Sequence, residues 1–598
     1  MKLTYSQKRY IQQNYHKETI EYIAKKKNIS IDLIRKHIVL NESKFDSIDN
    51  KQTKIEPFVI KEHIPNLILL TFFVLLVYVN GFGAKFVSDD VYAILRNEAQ
   101  LKSQNYLFIT PTFILRSLQY LIAYKIGGLT PFFFRLWNIV FHIGFVWMTY
   151  MIVHVFSKKK FLPFFVASFA AVHPMMIESV TWISGGIYAQ AGFSILVSFY
   201  FYLRYRTQYL LRYIIFALIA FICALSSSEK VIVFPFIIGL YEFTFGSLKK
   251  SWLQISSFFG ISFIWGLILI TRISERLEYI AVSQGDTTKL NIENPFFLIP
   301  SALGTYIKLF IWPRHLTLYQ SEFQFSWWKF IILFTITLLF LAIIVWSYRK
   351  NKPVFFWLSF FVITLLPTLN PFGLSWIVAE RYAYLGSVGL YFAFSVLLYQ
   401  LIDNKKLHKL GYVIFAVLLM SFSVRTIVRN IDWQNEDNLW IATAKASPSD
   451  PKTHNNLGDM YARQGNLQKA AEAFSEAIRL NPRYPDATHN LANIFRQSGQ
   501  TEQAEKFYLK AIELNPSLWQ SYQNIAAINF EKGNFDKAEK YTLESMKILP
   551  NNSDLYMNLG LVYMNNGKKD FAIQAFQKAL EINPENINAK RVLQEIQK

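Results

Sequence analysis

Two adjacent carboxylates, Asp89 and Asp90, stand in the segment KFVSDDVYAILRN, which directly follows the first long apolar run of the chain. A carboxylate at a membrane surface can be the general base of an enzyme whose substrate is a lipid. A simpler explanation is that Ser88 or Asp89 caps a helix that begins near Val91, because side-chain oxygens satisfy the free amides of a first turn. The rest of the sequence bears on this choice.

Further ionisable side chains stand in four other segments between apolar runs. These segments are AVHPMMIESVTWISGG with His173 and Glu178, SSSEKVIVFP with Glu229 and Lys230, KLFIWPRHLTLYQSEF with Lys308, Arg314 and His315, and LNPFGLSWIVAERYAYLGSVG with Glu380 and Arg381. Each residue alone is more often structural than catalytic. Charges in an apolar context need an ion pair or a ligand, so several such loops on one face predict a binding site for an anionic headgroup.

The composition indicates a membrane protein with more than one domain. The chain has 598 residues, of which 52% are hydrophobic and 17% aromatic, well above what a soluble domain needs. Its net charge of +21 comes largely from Lys and Arg in short loops, which favours anionic lipid headgroups over nucleic acid as the partner. The single cysteine, Cys223, excludes a disulfide framework and a cysteine-based metal site.

Several apolar runs are about long enough to cross a hydrocarbon core of ~30 Å, some of them with tilt. We predict eleven crossings, near residues 64–80, 132–156, 161–173, 187–203, 212–226, 231–246, 254–271, 329–348, 354–366, 383–402 and 410–428. A further apolar stretch, 296–312, is interpreted as re-entrant or interfacial, because counting it as a crossing would place the basic loop SYRKNK outside.

Basic residues predict the orientation of these crossings. They concentrate in the loops on the side of the basic N-terminus, namely SKKK (157–160), RYRTQYLLR (204–212), SLKK (247–250), SYRKNK (347–352) and DNKKLHK (403–409). Such loops are normally cytoplasmic. The N-terminus is then cytoplasmic, and the C-terminal region lies outside with the two aspartates and the other charged loop residues.

The C-terminal region repeats with a period of 34 residues. The columns are glycine at Gly465, Gly499, Gly533 and Gly567, proline at Pro482, Pro516, Pro550 and Pro584, and alanine at Ala470, Ala504, Ala538 and Ala572. A glycine in the turn, a proline at the exit and small residues where two helices touch are typical of the tetratricopeptide repeat, or TPR. Four such repeats predict a superhelix with a concave surface suited to an extended polypeptide.

Asparagine forms another column, at Asn456, Asn490, Asn524 and Asn558. A primary amide both donates and accepts, so a row of amides can pair with a peptide main chain of any sequence. The alternative, of about equal weight, is that each asparagine contacts the neighbouring repeat. The column resembles the asparagine ladder in the TPR domain of the soluble O-GlcNAc transferase, which supports peptide binding.

These segments resemble the transmembrane and TPR-containing protein O-mannosyltransferases over about residues 70–598. The motifs are, in chain order, F-x-x-DD-x-x-AI-x-x-N, HP-x-x-x-E-x-V-x-W-I, EKVIVFP, Y-x-K-L-x-x-WP, AERYAYLGSVG and RNIDWQNEDNLW. The resemblance implies an all-α fold: a polytopic membrane helix bundle of the GT-C glycosyltransferase type, followed by a soluble TPR α-solenoid. It also implies a polyprenyl-phosphate-linked sugar as the donor, with the acidic motif at the active site.

The resemblance and the chemistry of sugar transfer suggest catalytic roles for the aspartates. Asp89, the first acid of the motif, is the expected general base for a Ser or Thr hydroxyl. Asp90 would orient Asp89, the acceptor or a divalent metal, and the sequence assigns no metal ligands. Because a phosphate leaves and one carboxylate serves as base, we expect a single displacement with inversion.

The remaining candidates are expected to bind the donor or the acceptor. Lys230 and Arg381 are the leading phosphate partners, held by Glu229 and Glu380; His173 and Glu178 line the sugar or acceptor site; Arg314 and His315 complete the set. The chain departs from the family pattern at Thr110 and Pro111, where the resemblance leads us to expect Arg-Pro. Arg116 is the expected replacement for that phosphate contact.

The predicted domains are a cytoplasmic basic helical appendage (1–62), the membrane domain (63–430), a connector (431–449) and the TPR superhelix (450–598). The partners are then the lipid bilayer, a lipid-linked sugar and an extended polypeptide, with no nucleic acid. The Lys-, Ile- and Asn-rich composition favours a bacterial inner membrane, although an endoplasmic reticulum membrane would give the same topology.

Other functions are compatible with this sequence. A ligase that moves a lipid-linked oligosaccharide onto protein would share the membrane chemistry. A non-catalytic membrane scaffold would use the repeats to recruit partners, and its two aspartates would only cap a helix. A transporter is less favoured, because the charged residues stand in loops away from the bilayer midplane.

Overall fold

The structure is a computed structural model that describes residues 60–103, 106–109, 111–157, 159–271, 295–318, 320, 327–369 and 378–597, with five isolated positions between 24 and 34. Every regular element in these ranges is a helix, which confirms the predicted all-α class. The predicted N-terminal appendage lies almost entirely outside the described residues, and Thr110 also lies outside them.

The membrane part contains sixteen described helices. They are α1 (Ile60–Tyr78), α2 (Glu98–Lys102), α3 (Tyr106–Ile109), α4 (Ile114–Gly127), α5 (Pro131–Phe156), α6 (Leu162–Val172), α7 (Ile177–Val180), α8 (Gly186–Gln208), α9 (Leu211–Leu225), α10 (Phe234–Phe245), α11 (Trp252–Ile270), α12 (Pro295–Ile311), α13 (Trp327–Lys350), α14 (Lys352–Leu365), α15 (Ser387–Asp403) and α16 (His408–Asp432).

Six of the described helices, α1, α5, α8, α11, α13 and α16, are long and apolar enough to cross a membrane. A seventh crossing results if α6 is joined to the following segment Pro174–Val180, from which it is bent by 56°. Helices α9, α12, α14 and α15 are apolar but shorter. Each predicted crossing contains a helix, so this is an integral membrane protein; the number of complete crossings and the placement of α12 stay predictions.

The membrane helices divide into central and peripheral ones. In the most apolar 18-residue stretch of α8, 67% of the residues are buried, and this helix packs against α5 and α9. In the corresponding stretches of α11 and α16, only 11% of the residues are buried. Close approach in the centre depends on small residues. At Gly192 in α8, an added Cβ would lie only 3.0 Å from the ring of Tyr384, so the loop before α15 packs directly on the backbone of α8.

The C-terminal part contains ten described helices. They are α17 (Glu436–Ala446), α18 (Pro451–Arg463), α19 (Leu467–Leu480), α20 (Pro485–Gln497), α21 (Thr501–Leu514), α22 (Trp519–Glu531), α23 (Phe535–Ile548), α24 (Ser553–Asn565), α25 (Lys569–Ile582) and α26 (Ile587–Gln597). Helices α18–α25 form the four predicted pairs, and α17 packs on the first of them.

The repeat columns have the predicted structural roles. The four column glycines adopt φ angles between +73° and +76° at the turn inside each pair, a conformation that favours glycine. The four column alanines are fully buried between helices. These features confirm the TPR architecture predicted from the 34-residue period.

The membrane part and the repeats share one hydrophobic core. Trp433, Leu439, Trp440 and Met460 pack in the same buried cluster as the membrane helices. Helix α17 is also tied to the first repeat, because Arg463 pairs with Glu436 and the Gln464 amide donates to Asp437 at 2.7 Å. The predicted connector is therefore a packed helix rather than a free linker.

Candidate functional site

The two aspartates lie in the loop between α1 and the first turns before α4, here called the acidic loop (residues 79–97), and they have opposite environments. Asp90 is fully buried, and its Oδ1 accepts hydrogen bonds from the Ser184 amide at 2.8 Å and the Ser184 hydroxyl at 2.6 Å. Its Oδ2 accepts a third bond from the Val87 amide at 3.2 Å. Asp89 is exposed. One acid is thus fixed in the protein, and its neighbour is left accessible.

The backbone around the aspartates is unusual. Ser88 has a φ of 55°, in the left-handed region that a non-glycine residue seldom adopts. The following residues, Val91–Leu95, form a wide helical turn, and the preceding Asp90 gives it no side-chain cap. The Asp90 carboxylate is used instead to join the acidic loop to Ser184. The Asp90 side chain is therefore not a helix cap.

Two polar residues near the start of α5 hold the second loop (residues 173–185) beside the acidic loop. The buried Arg135 guanidinium donates to the carbonyls of Thr181 at 2.7 Å and Ala84 at 2.9 Å. The buried Asn138 amide donates to the carbonyls of Trp182 and Ile183, at 3.0 and 3.3 Å. Since these residues directly precede Ser184, α5 fixes the partner of Asp90.

The ionisation of the two aspartates reflects their surroundings. Burial raises the pKa of Asp90 to about 6, although the Ser184 and Val87 hydrogen bonds and the Arg135 charge oppose this shift. Partial burial also raises the pKa of Asp89, against the charges of Arg381 and Arg116. A carboxyl with a raised pKa is a stronger base than an ordinary one, as proton abstraction requires.

A cleft between α8, the start of α10 and the loop before α15 contains two cations, Lys230 and Arg381. Its empty space is about 440 Å³ when the adjoining open solvent is counted. The ring of Tyr382 lies between these cations, with the Lys230 ammonium 4.7 Å and the Arg381 guanidinium 5.1 Å from its centroid. Much of the remaining lining is apolar: Ala191, Ile195, Val231, Val233, Phe234, Ile237 and Leu385.

Arg381 is held by Glu178 and not by its neighbour Glu380. The Glu178 carboxylate accepts from the Arg381 amide at 3.0 Å and from the guanidinium at 3.2 Å. Glu380 accepts instead from the Thr317 amide at 2.6 Å. The expectation that Glu380 would hold Arg381 was wrong, because the tight turn Glu380–Ala383 points the two adjacent side chains in different directions.

The other predicted residues are not brought together around the cleft. His173 is buried, with Nε2 bonded to the Phe310 carbonyl at 3.0 Å and Nδ1 accepting from the Met175 amide. Both nitrogens are used, which is a structural arrangement. Arg314 and His315 are exposed and do not line the cleft. Arg116 is half-buried, and its charge acts on Asp89.

Three of the four column asparagines bond to the preceding repeat. The amide of Asn490 donates to Asn455, that of Asn524 to Asn493, and that of Asn558 to Gln523, at 3.1, 3.1 and 3.0 Å. This is the inter-repeat contact considered above as the alternative to peptide binding. Each carbonyl oxygen has a second lone pair, so the two roles are compatible.

Sequence reasoning missed several residues of this site. Arg135, Asn138, Ser184, Tyr188 and Tyr382 were not singled out, although all lie at the cleft or support the aspartates. A usable signal existed for two of them. Arg135 and Asn138 are polar residues three apart at the start of an apolar crossing, and polar groups inside membrane helices are seldom without a partner.

Known proteins resemble this chain in both of its parts. The tetratricopeptide repeat family matches residues 449–517, 507–540 and 553–586. Protein O-mannosyl-transferase TMTC3 of Mus musculus is 24% identical over 458 residues, which cover 67% of this chain and 49% of the relative. The Homo sapiens TMTC3 protein is 25% identical over 465 residues. Over two thirds of its length this chain is therefore similar to the TMTC proteins.

The match to these relatives is partial in length. Protein O-mannosyl-transferase Tmtc2 of Drosophila melanogaster is 35% identical over 124 residues, which cover 20% of this chain and 13% of that protein. The chain spans about half the length of the TMTC3 relatives. Among solved structures, MamA aligns with 27% of the chain at 23% identity, with a TM-score of 0.24. YrrB, described as a TPR protein with an unusual peptide-binding site, aligns with 33% at 20% identity, with the same TM-score of 0.24. Scores this low carry no argument.

Proposed function

We propose that this TMTC-like protein transfers a sugar from a polyprenyl-phosphate donor to Ser or Thr hydroxyls of polypeptides outside the cytoplasm. One observation carries the proposal. The second loop joins the two parts of the site: Ser184 binds Asp90, the neighbour of the exposed Asp89, and the ring of Trp182 lies 5.5 Å from the guanidinium of Arg381, which lines the cleft. A base for the acceptor and a cation for the leaving phosphate thus belong to one site, as the reaction requires.

The cleft suits a lipid phosphate better than a free one. Lys230 and Arg381 supply two positive charges at its polar end, and of these two Arg381 is paired with Glu178. The apolar residues of α8 and α10 continue the cleft into the helix bundle. A polyprenyl chain can bury its surface along such a wall, at ~25 cal/mol per Å² of apolar area, while the phosphate stays beside the cations.

The proposed step is a single displacement. The acceptor hydroxyl oxygen bonds to the anomeric carbon as the bond from that carbon to the phosphate oxygen breaks, and Asp89 takes the hydroxyl proton. The bonding electrons leave with the lipid phosphate, whose growing charge Lys230 and Arg381 stabilise. Asp90, fixed by Ser184, keeps the acidic loop in place. Attack from the face opposite the phosphate inverts the anomeric carbon.

The repeats would supply the acceptor. Their helices face a superhelical groove whose first-helix residues include the asparagine column, and amides can bind a main chain regardless of its sequence. Because α17 packs on both the membrane core and the first repeat, a bound polypeptide is held near the cleft. Tethering of this kind raises the local acceptor concentration even when the site binds weakly.

The proposal requires the acidic loop and the repeats to share the side opposite the basic loops. The N-terminus is then cytoplasmic, and a bacterial inner membrane is the proposed location. The basic segments 204–212, 247–250, 347–352 and 403–409 each connect two consecutive helices, namely α8 to α9, α10 to α11, α13 to α14 and α15 to α16. The loops with the candidate site residues stand at the other ends of these helices, which supports this orientation.

Asp89→Asn tests the function directly. The purified full-length protein is placed in liposomes with a polyprenyl-phosphate-linked mannose and a Ser/Thr peptide, and transfer is measured by mass spectrometry. We expect the variant to lose at least ~100-fold in rate while peptide binding is unchanged. Asp403→Asn, the same change at an exposed acid near the predicted cytoplasmic end of α15, is the control. Equal activity of wild type and Asp89→Asn, or no transfer at all, would favour a scaffold.

A further inference from the structure

A stack of four side chains joins the cleft to the segment that leads into the repeats. The indole rings of Trp182 and Trp433 stack with centroids 5.7 Å apart and an angle of 29° between their planes. The Arg381 guanidinium lies 5.5 Å from the centroid of Trp182, and the Arg429 guanidinium lies 5.8 Å from that of Trp433. Cations favour such positions over aromatic faces. Arg381 of the cleft therefore contacts Trp182, which in turn contacts Trp433 of the connector.

The same segment, residues 427–434, also bonds to the acidic loop. The Lys85 amide donates to the Gln434 carbonyl at 2.8 Å. The Asn430 amide donates to the Val77 carbonyl at 2.8 Å and to the Asn80 side chain at 2.9 Å. Lys85 precedes Asp89 by only four residues. The segment 427–434 thus contacts the acidic loop as well as Trp182, the ring beside Arg381.

The second loop touches the segment as well. The Thr181 hydroxyl donates to the Asn430 side-chain oxygen at 2.6 Å. Arg135 holds the carbonyl of the same Thr181, which directly precedes the stacked Trp182. Arg429 is fully buried, and its charge acts on both Glu178 and Glu380. Four buried atoms of these groups have no hydrogen-bond partner, namely Glu178 Oε1, Glu380 Oε2, Arg429 Nε and Arg429 Nη2. Mutual charge compensation is thus what makes their burial tolerable.

We propose that residues 427–434 are a positioning element of the active site, in which Trp433 holds Arg381 in place through Trp182 and Asn430 holds the acidic loop. This inference rests on the proposed transferase function. A positioning role differs from the tethering role proposed for the repeats, because tethering affects only acceptors that are bound to the repeats. A positioning segment is needed for transfer to every acceptor, including peptides too short to reach the superhelix.

Trp433→Leu in the full-length protein tests this inference with a short Ser/Thr peptide as acceptor. We expect kcat/KM for the polyprenyl-phosphate-mannose donor to fall roughly 10- to 100-fold, the size of effect that displacement of a catalytic group produces. KM for the peptide should stay unchanged. Trp433→Phe, which keeps an aromatic face, should restore most of the activity. Trp357→Leu is the matched control, since Trp357 is equally buried with an equally unpartnered indole nitrogen but lies in α14.

Hydrogen exchange provides a readout that does not depend on activity. In Trp433→Leu, amides of 79–90 and 380–386 should exchange faster than in wild type, whereas Trp357→Leu should leave them unchanged. If wild type transfers no sugar but exchange responds as expected, the proposed function fails and the positioning role stands. If both variants lose the same activity per folded molecule and exchange alike, the segment is only part of the core and the inference is overturned.

Discussion

Ser184 donates two hydrogen bonds to one carboxylate oxygen of Asp90, from its amide at 2.8 Å and from its hydroxyl at 2.6 Å. The two residues are 94 positions apart, and their bonds join the acidic loop to the second loop. These bonds fix Asp90 and leave the neighbouring Asp89 exposed. In the reaction proposed above, Asp90 positions the acidic loop and Asp89 contacts the acceptor.

Ser184→Ala should shift the pH dependence of transfer. The Ser184 bonds favour the ionised carboxylate, so removal of the hydroxyl raises the pKa of Asp90 further above its value of about 6. We expect activity to fall below about pH 6 in wild type, and the midpoint of this fall to move to higher pH in Ser184→Ala. The pH–rate profile of kcat measures the shift. Ser168→Ala, at a buried hydroxyl in α6 without a partner, should leave the midpoint where it is.

Asp90 should also make stability depend on pH. Its pKa is about 6 in the folded protein and ~3.9 in an unfolded chain, so between these values the folded state holds a proton that the unfolded state has released. The contribution of Asp90 to stability is then complete below about pH 4 and decreases as the pH rises to about 6. Thermal unfolding in detergent should show this decrease in wild type and less of it in Asp90→Asn. An identical pH dependence in both proteins would contradict the assignment.

Lys230→Met should weaken donor binding more than acceptor binding. The Lys230 ammonium lies over the ring of Tyr382 and lines the cleft, where its positive charge can meet a phosphate. We expect KM for the lipid-phosphate sugar to rise roughly 10-fold, as for loss of one charge-assisted contact, while KM for the peptide stays constant. Lys125→Met, at an exposed lysine of α4, is the control. A rise in the KM of the peptide alone would place Lys230 in the acceptor site.

The asparagine column can be tested by comparing the two ends of one hydrogen bond. Asn524→Ala and Asn493→Ala both remove the bond between α22 and α20. Each also removes one further bond, from Arg496 to Asn524 or from Tyr508 to Asn493, so each should destabilise the repeats by roughly 2 kcal/mol. Asn524 belongs to the column and Asn493 does not. If the column binds peptide, Asn524→Ala should weaken the affinity for an unfolded polypeptide several-fold more than Asn493→Ala, measured by fluorescence anisotropy. Equal losses would assign the column to packing between repeats.

The predicted topology is testable with a single engineered cysteine. In a Cys223→Ser background, Ser498→Cys in the repeats and Lys405→Cys in a basic loop are both exposed sites. A membrane-impermeant maleimide added to intact cells should label the first and spare the second. The opposite pattern would place the repeats in the cytoplasm and remove the basis of the proposed function.

The local features of this protein could be read from its sequence. Helices appear at every predicted crossing and at every repeat, because apolar runs and the 34-residue columns are properties of residues close together in the chain. The left-handed turn glycines and the buried column alanines followed from the same periodicity. The grouping of the charged loops on one side was inferred from the order of the predicted crossings, and it stays a prediction.

The partners of the charged residues were decided by the tertiary structure alone. Arg381 pairs with Glu178, 203 residues away, and not with the adjacent Glu380. Likewise Ser184, Arg135 and Trp433 become part of the site only when α5, the second loop and the connector pack together. Hydropathy and spacing specify where a helix forms, but which side chains meet depends on helix rotation and on loop paths. These are fixed by the packing of the whole bundle, so the chain order contains no short-range signal for them.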